Sequence, residues 1–261
     1  PAQVVLLLVL LAAPFWVGAM LGPYWVRILD FCLLYAVLAL GLNIVVGYAG
    51  LLDLGYIAFY AVGAYLFALL ASPHFDLHWS GWIILPLGAI AASFAGILLG
   101  TPTLRLRGDY LAIVTLGFSE AVRISIQQES WLTKGVQGLP GLPKLFASWG
   151  SGVSDMAIFA TLLAVVAVVA WGTVRLAASP FGRLLKAIGD DEPALSALGK
   201  DPAWFKVQVF MLGAALAGLA GAFYAHFITF ITPEQFIPLI TFYVWMGLVM
   251  GGSGTVRGAV F

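Results

Sequence analysis

Charge is the scarcest property of this 261-residue chain: Asp, Glu, Lys and Arg make up 9% of it, against about 25% in soluble globular domains. The twelve basic and twelve acidic residues cancel. With no basic surplus, nothing points to a nucleic-acid partner. Cysteine occurs once, at Cys32, which rules out an internal disulfide and a cysteine-built metal site. Its apolar neighbours predict a buried structural thiol. The phosphate-cradling pattern G-x-x-x-x-G-K-[ST] is missing, and Gly199-Lys200 runs straight into Asp201. The chain therefore has no ATP site of its own. A basic stretch ahead of the first apolar run is missing as well, so AQVVLLLVLLAAPFWVGAML reads as a membrane span and not as a signal peptide. The chain begins at Pro1 and stops at Phe261 just as a new apolar run starts, which predicts that both ends are clipped.

What fills the space is hydrocarbon. Hydrophobic residues make up 62% of the chain and the mean hydropathy is +1.03, far outside soluble usage. Crossing a bilayer takes about 20 apolar residues. Runs of that kind lie at 3–21, 28–48, 54–72, 82–104, 109–126, 153–175, 203–231 and 237–252. The expectation is an all-α polytopic bundle of about eight spans, forming a single transmembrane domain over 1–261. If the runs alternate sides, Arg105, Arg107, Arg175, Arg183, Lys186, Lys200, Lys206 and Arg257 share one side with the N-terminus. Arg27, Arg123, Lys134 and Lys144 fall on the other. The positive-inside rule makes the first side, N-terminus included, cytoplasmic.

Three segments interrupt the plain spans. The external loop at 127–152, QQESWLTKGVQGLPGLPKLFASWGSG, combines turn-forming Gly and Pro with interfacial Trp. It is either an ordered connector or a surface that receives a soluble partner. Residues 41–65, GLNIVVGYAGLLDLGYIAFYAVGAY, place Asn43, Gly47, Gly50, Asp53 and Gly55 between two apolar runs. They read either as a broken helix beside a transport pathway or as a tight turn in which Asp53 caps the next helix. Small residues recur at every fourth position in Gly88, Ala92, Gly96 and Gly100, in Gly213, Ala217 and Gly221, and in Ala214, Gly218 and Ala222. This spacing predicts close helix packing.

The third interruption carries the charge. Arg183, Lys186, Asp190, Asp191, Glu192, Lys200, Asp201 and Lys206 crowd into one loop. Ser179-Pro180 predicts a helix start and Gly189 its end. Asp190, Asp191 and Glu192 with Pro193 open a second helix that Gly199 closes, and Asp201-Pro202 starts a third. The middle helix, PALSAL, is too short to stand alone in water. It must dock, either on a soluble subunit or back onto its own membrane domain.

Four segments together, GLNIVVGYAGLLDLGYIAFYAVGAY, RLRGDYLAIVTLGFSEAVR, SPFGRLLKAIGDDEPALSALGKDPAWFKVQVF and GLVMGGSGTVRGAVF, resemble the permease subunit of bacterial ABC importers for branched-chain amino acids, of the M type. The resemblance covers nearly the whole chain from about residue 30. It implies a multi-pass permease of the bacterial inner membrane, one of a pair completed by a related H-type subunit. Further implied partners are two cytoplasmic ATPase subunits, which hold the ATP and Mg, and a periplasmic or extracellular solute-binding protein. It also implies that 176–206 is the coupling loop, with Asp191, Glu192, Ala194, Ala197 and Gly199 at the ATPase contact. The importer motif E-A-A-x-x-x-G fits with one extra residue between Glu192 and Gly199. In WLTKGVQGLPGLP, Lys134 replaces a glycine of the usual Thr-Gly-Gly turn. Relatives of this family also carry urea, short amides and other small polar solutes.

Two other classes fit less well. Gly251-Gly252-Ser253-Gly254 with His226 suggests an intramembrane serine protease. An ion-driven transporter would want ionisable groups at the bilayer midplane, whereas Asp30, Asp53, Asp109, Glu120 and Arg123 lie near span ends. Asp109 reads as an N-cap, and Glu120 with Arg123 as an i,i+3 pair.

Overall fold

The computed structural model describes residues 22–72, 79–103, 106, 108–143, 146 and 151–260. The chain is helical almost throughout. It opens with α1 (Pro23–Leu42), whose proline sits at the helix start where no N–H is needed, and α1 runs into a π-helical turn over Asn43–Tyr48. Next come α2 (Ile57–Ala71), α3 (Gly81–Thr103), α4 (Asp109–Gln128) and the single turn α5 (Ser130–Thr133). A long α6 (Ser151–Ala178) leads to α7 (Pro180–Asp190) and α8 (Glu192–Ala197). The chain then forms α9 (Pro202–Ile228), α10 (Pro238–Gly251) and α11 (Val256–Val260). The two short strands β1 (Leu139–Pro140) and β2 (Phe230–Ile231) pair antiparallel, Leu139 opposite Ile231 and Pro140 opposite Phe230.

Four helical stretches are long and apolar enough to cross a membrane among the described residues: Tyr24–Tyr48, Gly81–Thr103, Ser154–Ala178 and Pro202–Ile228. The eight-span count is thus not reproduced by length and composition. The run 3–21 lies outside the described residues, α4 is too polar, and α2 and α10 have only 15 and 14 residues. At 1.5 Å per residue these two reach about 22 Å, short of the roughly 30 Å hydrocarbon core. Irregular backbone at 49–56 leads into α2, and a short strand followed by a 3-10 turn (Pro233–Phe236) leads into α10.

The centre of the bundle is α9, packed between α2 and α3 with α1 against it as well. The small-residue rows make that closeness possible. A Cβ on Gly96 would lie 2.8 Å from that of Ala214, and one on Gly88 would lie 3.2 Å from that of Ala222. A Cβ on Gly218 would meet Ala92. The row of Ala214, Gly218 and Ala222 therefore faces α3. The neighbouring row turns the other way: a Cβ on Gly221 would run into the Tyr60 carbonyl on α2, one on Gly213 would strike Val45 of the π-turn, and Ala217 is fully buried between them. One helix thus presents two close-packing faces, with backbones near enough for van der Waals contact along both.

Two sequence expectations are corrected here. Cys32 is exposed on α1, because its apolar run turns only one face inward and Cys32 lies on the other. Asp109 does not cap α4; it is the first helical residue, Gly108 holds the cap position, and no side chain caps that end. The Glu120–Arg123 pair does form, with Arg123 Nε donating to Glu120 Oε2 at 2.9 Å.

Candidate functional site

The residues singled out in 41–55 and in the charged loop come together at one end of the bundle. Each part is built from local chemistry. Ser179 Oγ accepts from Gly182 N at 3.3 Å, Asp191 Oδ1 from Ala194 N at 3.1 Å, and Asp201 Oδ1 from Ala203 N at 3.0 Å, so three consecutive helices start on side-chain caps. α8 ends as Gly199 turns left-handed at φ +74°, with Gly199 N donating to Ser196 O and Lys200 N to Leu195 O. Gly189 has a different role from the expected helix stop. α7 continues through Asp190, and Gly189 serves a close approach: a Cβ on Gly50 (φ +64°) would lie 3.1 Å from its Cα.

α7 is strongly two-faced. Gly182, Leu185 and Ile188 are buried while Arg183 and Lys186 stay outside, and Lys186 Nζ sits 5.9 Å above the Tyr48 ring. Among the described residues, α8 is anchored inward by Leu195 and Glu192. Leu195 is buried, and Glu192 Oε1 accepts from Lys206 Nζ at 2.8 Å, the lysine side chain being 5% exposed and the glutamate 21%. Asp191, Ala194, Ala197 and Gly199 face outward, and Leu198, 79% exposed, forms an apolar tip. A cleft of about 270 Å³ separates Ala49–Leu52 from the α7–α8 junction and Lys206.

Beneath this layer lies the π-turn. The Asn43 carboxamide is fully buried; its Nδ2 donates to Thr255 O at 3.1 Å and its Oδ1 accepts from Gly254 N at 2.8 Å. A π-turn widens the helix by one residue, and Gly47 supplies the remaining space, since a Cβ there would collide with the Asn43 side chain and lie 2.6 Å from Gly254 N. The end of α10 is thereby fastened to the end of α1.

Of the two readings of Asp53, the capping one is not met, since no side chain caps α2. The backbone at 49–56 is non-helical, yet Asp53 does not cap α2. Its Oδ1 accepts from Gly55 N at 2.9 Å, a local turn two residues long, while Oδ2 is buried with no partner among the described residues. α2 is entered instead with outside help: Leu54 N donates to Thr115 Oγ1 of α4 and Ile57 N to Thr241 Oγ1 of α10, each at 3.1 Å. Gly55 is glycine because a Cβ would strike the Thr115 carbonyl. Buried donors in an irregular segment are thus satisfied by side chains, as a membrane interior requires. Thr115, Thr241 and Thr255 carry no readable signal in the sequence, and Gly254 stands out there only in the protease-like motif; Lys206, a rare charge at the start of an apolar run, is the exception.

The protease constellation is not assembled. His226 Nδ1 lies 3.2 Å from Pro143 O and its ring beside Phe67, about 30 Å along α9 from Lys206. Ser253 sits at the opposite end, next to the Asn43 clamp. The stretch at 133–143 is ordered by pairing with β2, by Leu142 N donating to Thr229 O at 3.2 Å, and by Lys134 in the left-handed region at φ 58°.

Comparison with known proteins gives a single direction. A family model described as "Branched-chain amino acid transport system / permease component" matches residues 24–261. The high-affinity branched-chain amino acid transport system permease protein LivM of Escherichia coli K12 is 40% identical over 97% of this chain. Its Salmonella typhimurium LT2 counterpart is 41% identical over 96%. The probable branched-chain amino acid transport permease protein LivM of Methanocaldococcus jannaschii is 28% identical over 67% of the chain and 52% of its own length. The chain spans 63% of the length of the first two. No solved structure matches it.

Proposed function

The chain belongs to the family of branched-chain amino acid transport system permease components, and from that premise we propose that it is one of two permease subunits of an ATP-driven importer, passing a branched-chain amino acid from an external binding protein to the cytoplasm. It performs no covalent chemistry. Two cytoplasmic ATPase subunits bind ATP and Mg, and a related second permease completes the pathway. The complex sits in a bacterial inner membrane, with the 176–206 loop on the cytoplasmic side and 127–152 outside, in keeping with the distribution of basic residues.

The observation that carries this reading is the presentation of α8. A six-residue helix capped at both ends is anchored inward through Leu195 and Glu192 and offers Ala194, Ala197, Leu198 and Gly199 to solvent. A 79% exposed leucine on a charged, water-facing loop is a partner surface in waiting. Behind α8, α7 rests on the π-turn through Gly189–Gly50 and Lys186–Tyr48. A push on α8 therefore meets the membrane bundle at its irregular, least helical point.

Leu198→Asp and Gly199→Val test this. Each is expected to leave the permease folded, since neither side chain touches the core. Uptake, substrate-stimulated ATPase activity and co-purification of the ATPase subunits should all fall at least tenfold. Wild-type uptake with stable ATPase association in both variants would refute the coupling role.

A further inference from the structure

A second cleft lies away from the charged loop. It has a volume of about 460 Å³ and opens between the C-terminal halves of α2 and α4, roofed by Leu132 and Thr133 of α5. Its walls are Val62, Leu66, Phe118, Val122 and Ile126, all half-buried and all apolar. Among the described residues no charged one lines it. Three hydroxyls depart from that pattern: Ser125 is exposed, the Thr133 hydroxyl is bonded to the Ile126 carbonyl, and the third belongs to Tyr65. Tyr65 lines the cleft, is 4% exposed, and its Oη has no hydrogen-bond partner among the described residues. A buried hydroxyl without a partner is unfavourable unless something supplies one.

These features together describe an occupant. Apolar walls select a hydrocarbon group, the buried, unpartnered Tyr65 hydroxyl selects a molecule with a polar end beside it, and the volume lies in the range of small-ligand pockets. A lipid acyl chain would fill the walls but leave the hydroxyl unmet. The roof adds a further point, because α5 leads directly into the ordered 133–143 stretch, which the charge distribution puts on the external face.

We propose that the cleft between α2 and α4 seats the aliphatic side chain of the incoming amino acid, with the Tyr65 hydroxyl hydrogen-bonding its polar end. The inference rests on the importer reading above and names the place where that importer holds its substrate. The cleft then tests side-chain length inside the membrane domain, a selection separate from the one made by the binding protein. Widening or narrowing it changes which amino acids pass, and removing the hydroxyl affects all of them alike.

The experiment uses the complete transporter in proteoliposomes, with binding protein saturated in turn by leucine, valine and alanine, so that rates report the membrane step. Val122→Phe narrows the cleft and is expected to lower the leucine-to-alanine rate ratio at least tenfold, since a one-group misfit in an apolar pocket discriminates by about 10- to 200-fold. Val122→Ala, a milder change at a half-buried site, is expected to raise that ratio. Tyr65→Phe should slow all three substrates at least fivefold with their ratios unchanged. If the Val122 variants transport all three in wild-type proportions, the cleft is lipid-filled or covered by the second permease and the proposal is overturned. Wild-type transport of none of the three sinks the importer reading itself, a result separable from the first.

Discussion

Glu192→Gln, Lys206→Met and the double variant form a cycle whose outcome can be worked from the exposures of the two groups. The pair is 2.8 Å apart, the lysine side chain 5% exposed and the glutamate 21%. Breaking a fully buried pair by removing one partner costs about 3–5 kcal/mol, most of it the desolvation of the charge left behind. The two single variants should therefore differ. Glu192→Gln strands an ammonium that has almost no water, and it removes a negative charge from the first turn of α8; together these should cost about 2–3 kcal/mol. Lys206→Met leaves a carboxylate able to reach solvent and places a thioether in the lysine's apolar sleeve, so about 1 kcal/mol is expected. The double variant leaves no stranded charge and should lie within about 1 kcal/mol of wild type. Thermal denaturation of the detergent-purified permease and hydrogen exchange at residues 192–206 read these differences. Equal single effects, or a double variant that simply adds them, would show that the pair is solvated and does not anchor α8.

Three further outcomes are expected. Gly221→Leu drives a branched side chain into the Tyr60 carbonyl and should destabilise the bundle by about 3 kcal/mol, at the upper end of overpacking effects; an unchanged melting temperature would mean that this face does not meet α2. Lys134→Gly relieves a left-handed residue at φ 58°, a strain of about 1–2 kcal/mol that outweighs glycine's greater chain entropy by about 0.5–1 kcal/mol; a lower melting temperature would contradict this. With Cys32→Ala as background, a cysteine at exposed Val136 should react with impermeant thiol reagents in intact cells while one at exposed Ser196 is protected; the reverse would invert the assigned orientation.

Local chemistry was legible and long-range pairing was not. Ser179, Asp191 and Asp201 announce their caps because each bonds an N–H two or three residues away. The small-residue rows on α9 are visible as spacing, although the sequence does not say that one row meets α3 and the other α2. Gly189 misled because glycine after a helical run usually marks a stop, whereas here it is small to admit Gly50. The Asn43 clamp and the threonines that start α2 were invisible. Asn43 lies 211 residues from Gly254, and Ile57 lies 184 from Thr241. A threonine in an apolar helix otherwise bonds its own preceding turn, as Thr103 does, so its type carries no hint of a distant partner. Asp53 shows why two readings stayed open: its turn is local, but the helices that hold the segment around it are distant, Thr115 lying 61 residues from Leu54 and Thr241 184 from Ile57.

The Asn43 clamp has a consequence for biogenesis. At about 5–20 residues per second of synthesis, the carboxamide is made about 10–40 s before Gly254 and Thr255, which lie 211 and 212 residues later. During that interval a polar group destined for complete burial has no assigned partner, and the first long helix cannot settle permanently against its neighbours. Water, lipid headgroups or an insertion chaperone must occupy it in the meantime. A nascent chain arrested before residue 254 would keep that amide open inside the bundle, a mark by which membrane quality control could tell an unfinished permease from a finished one.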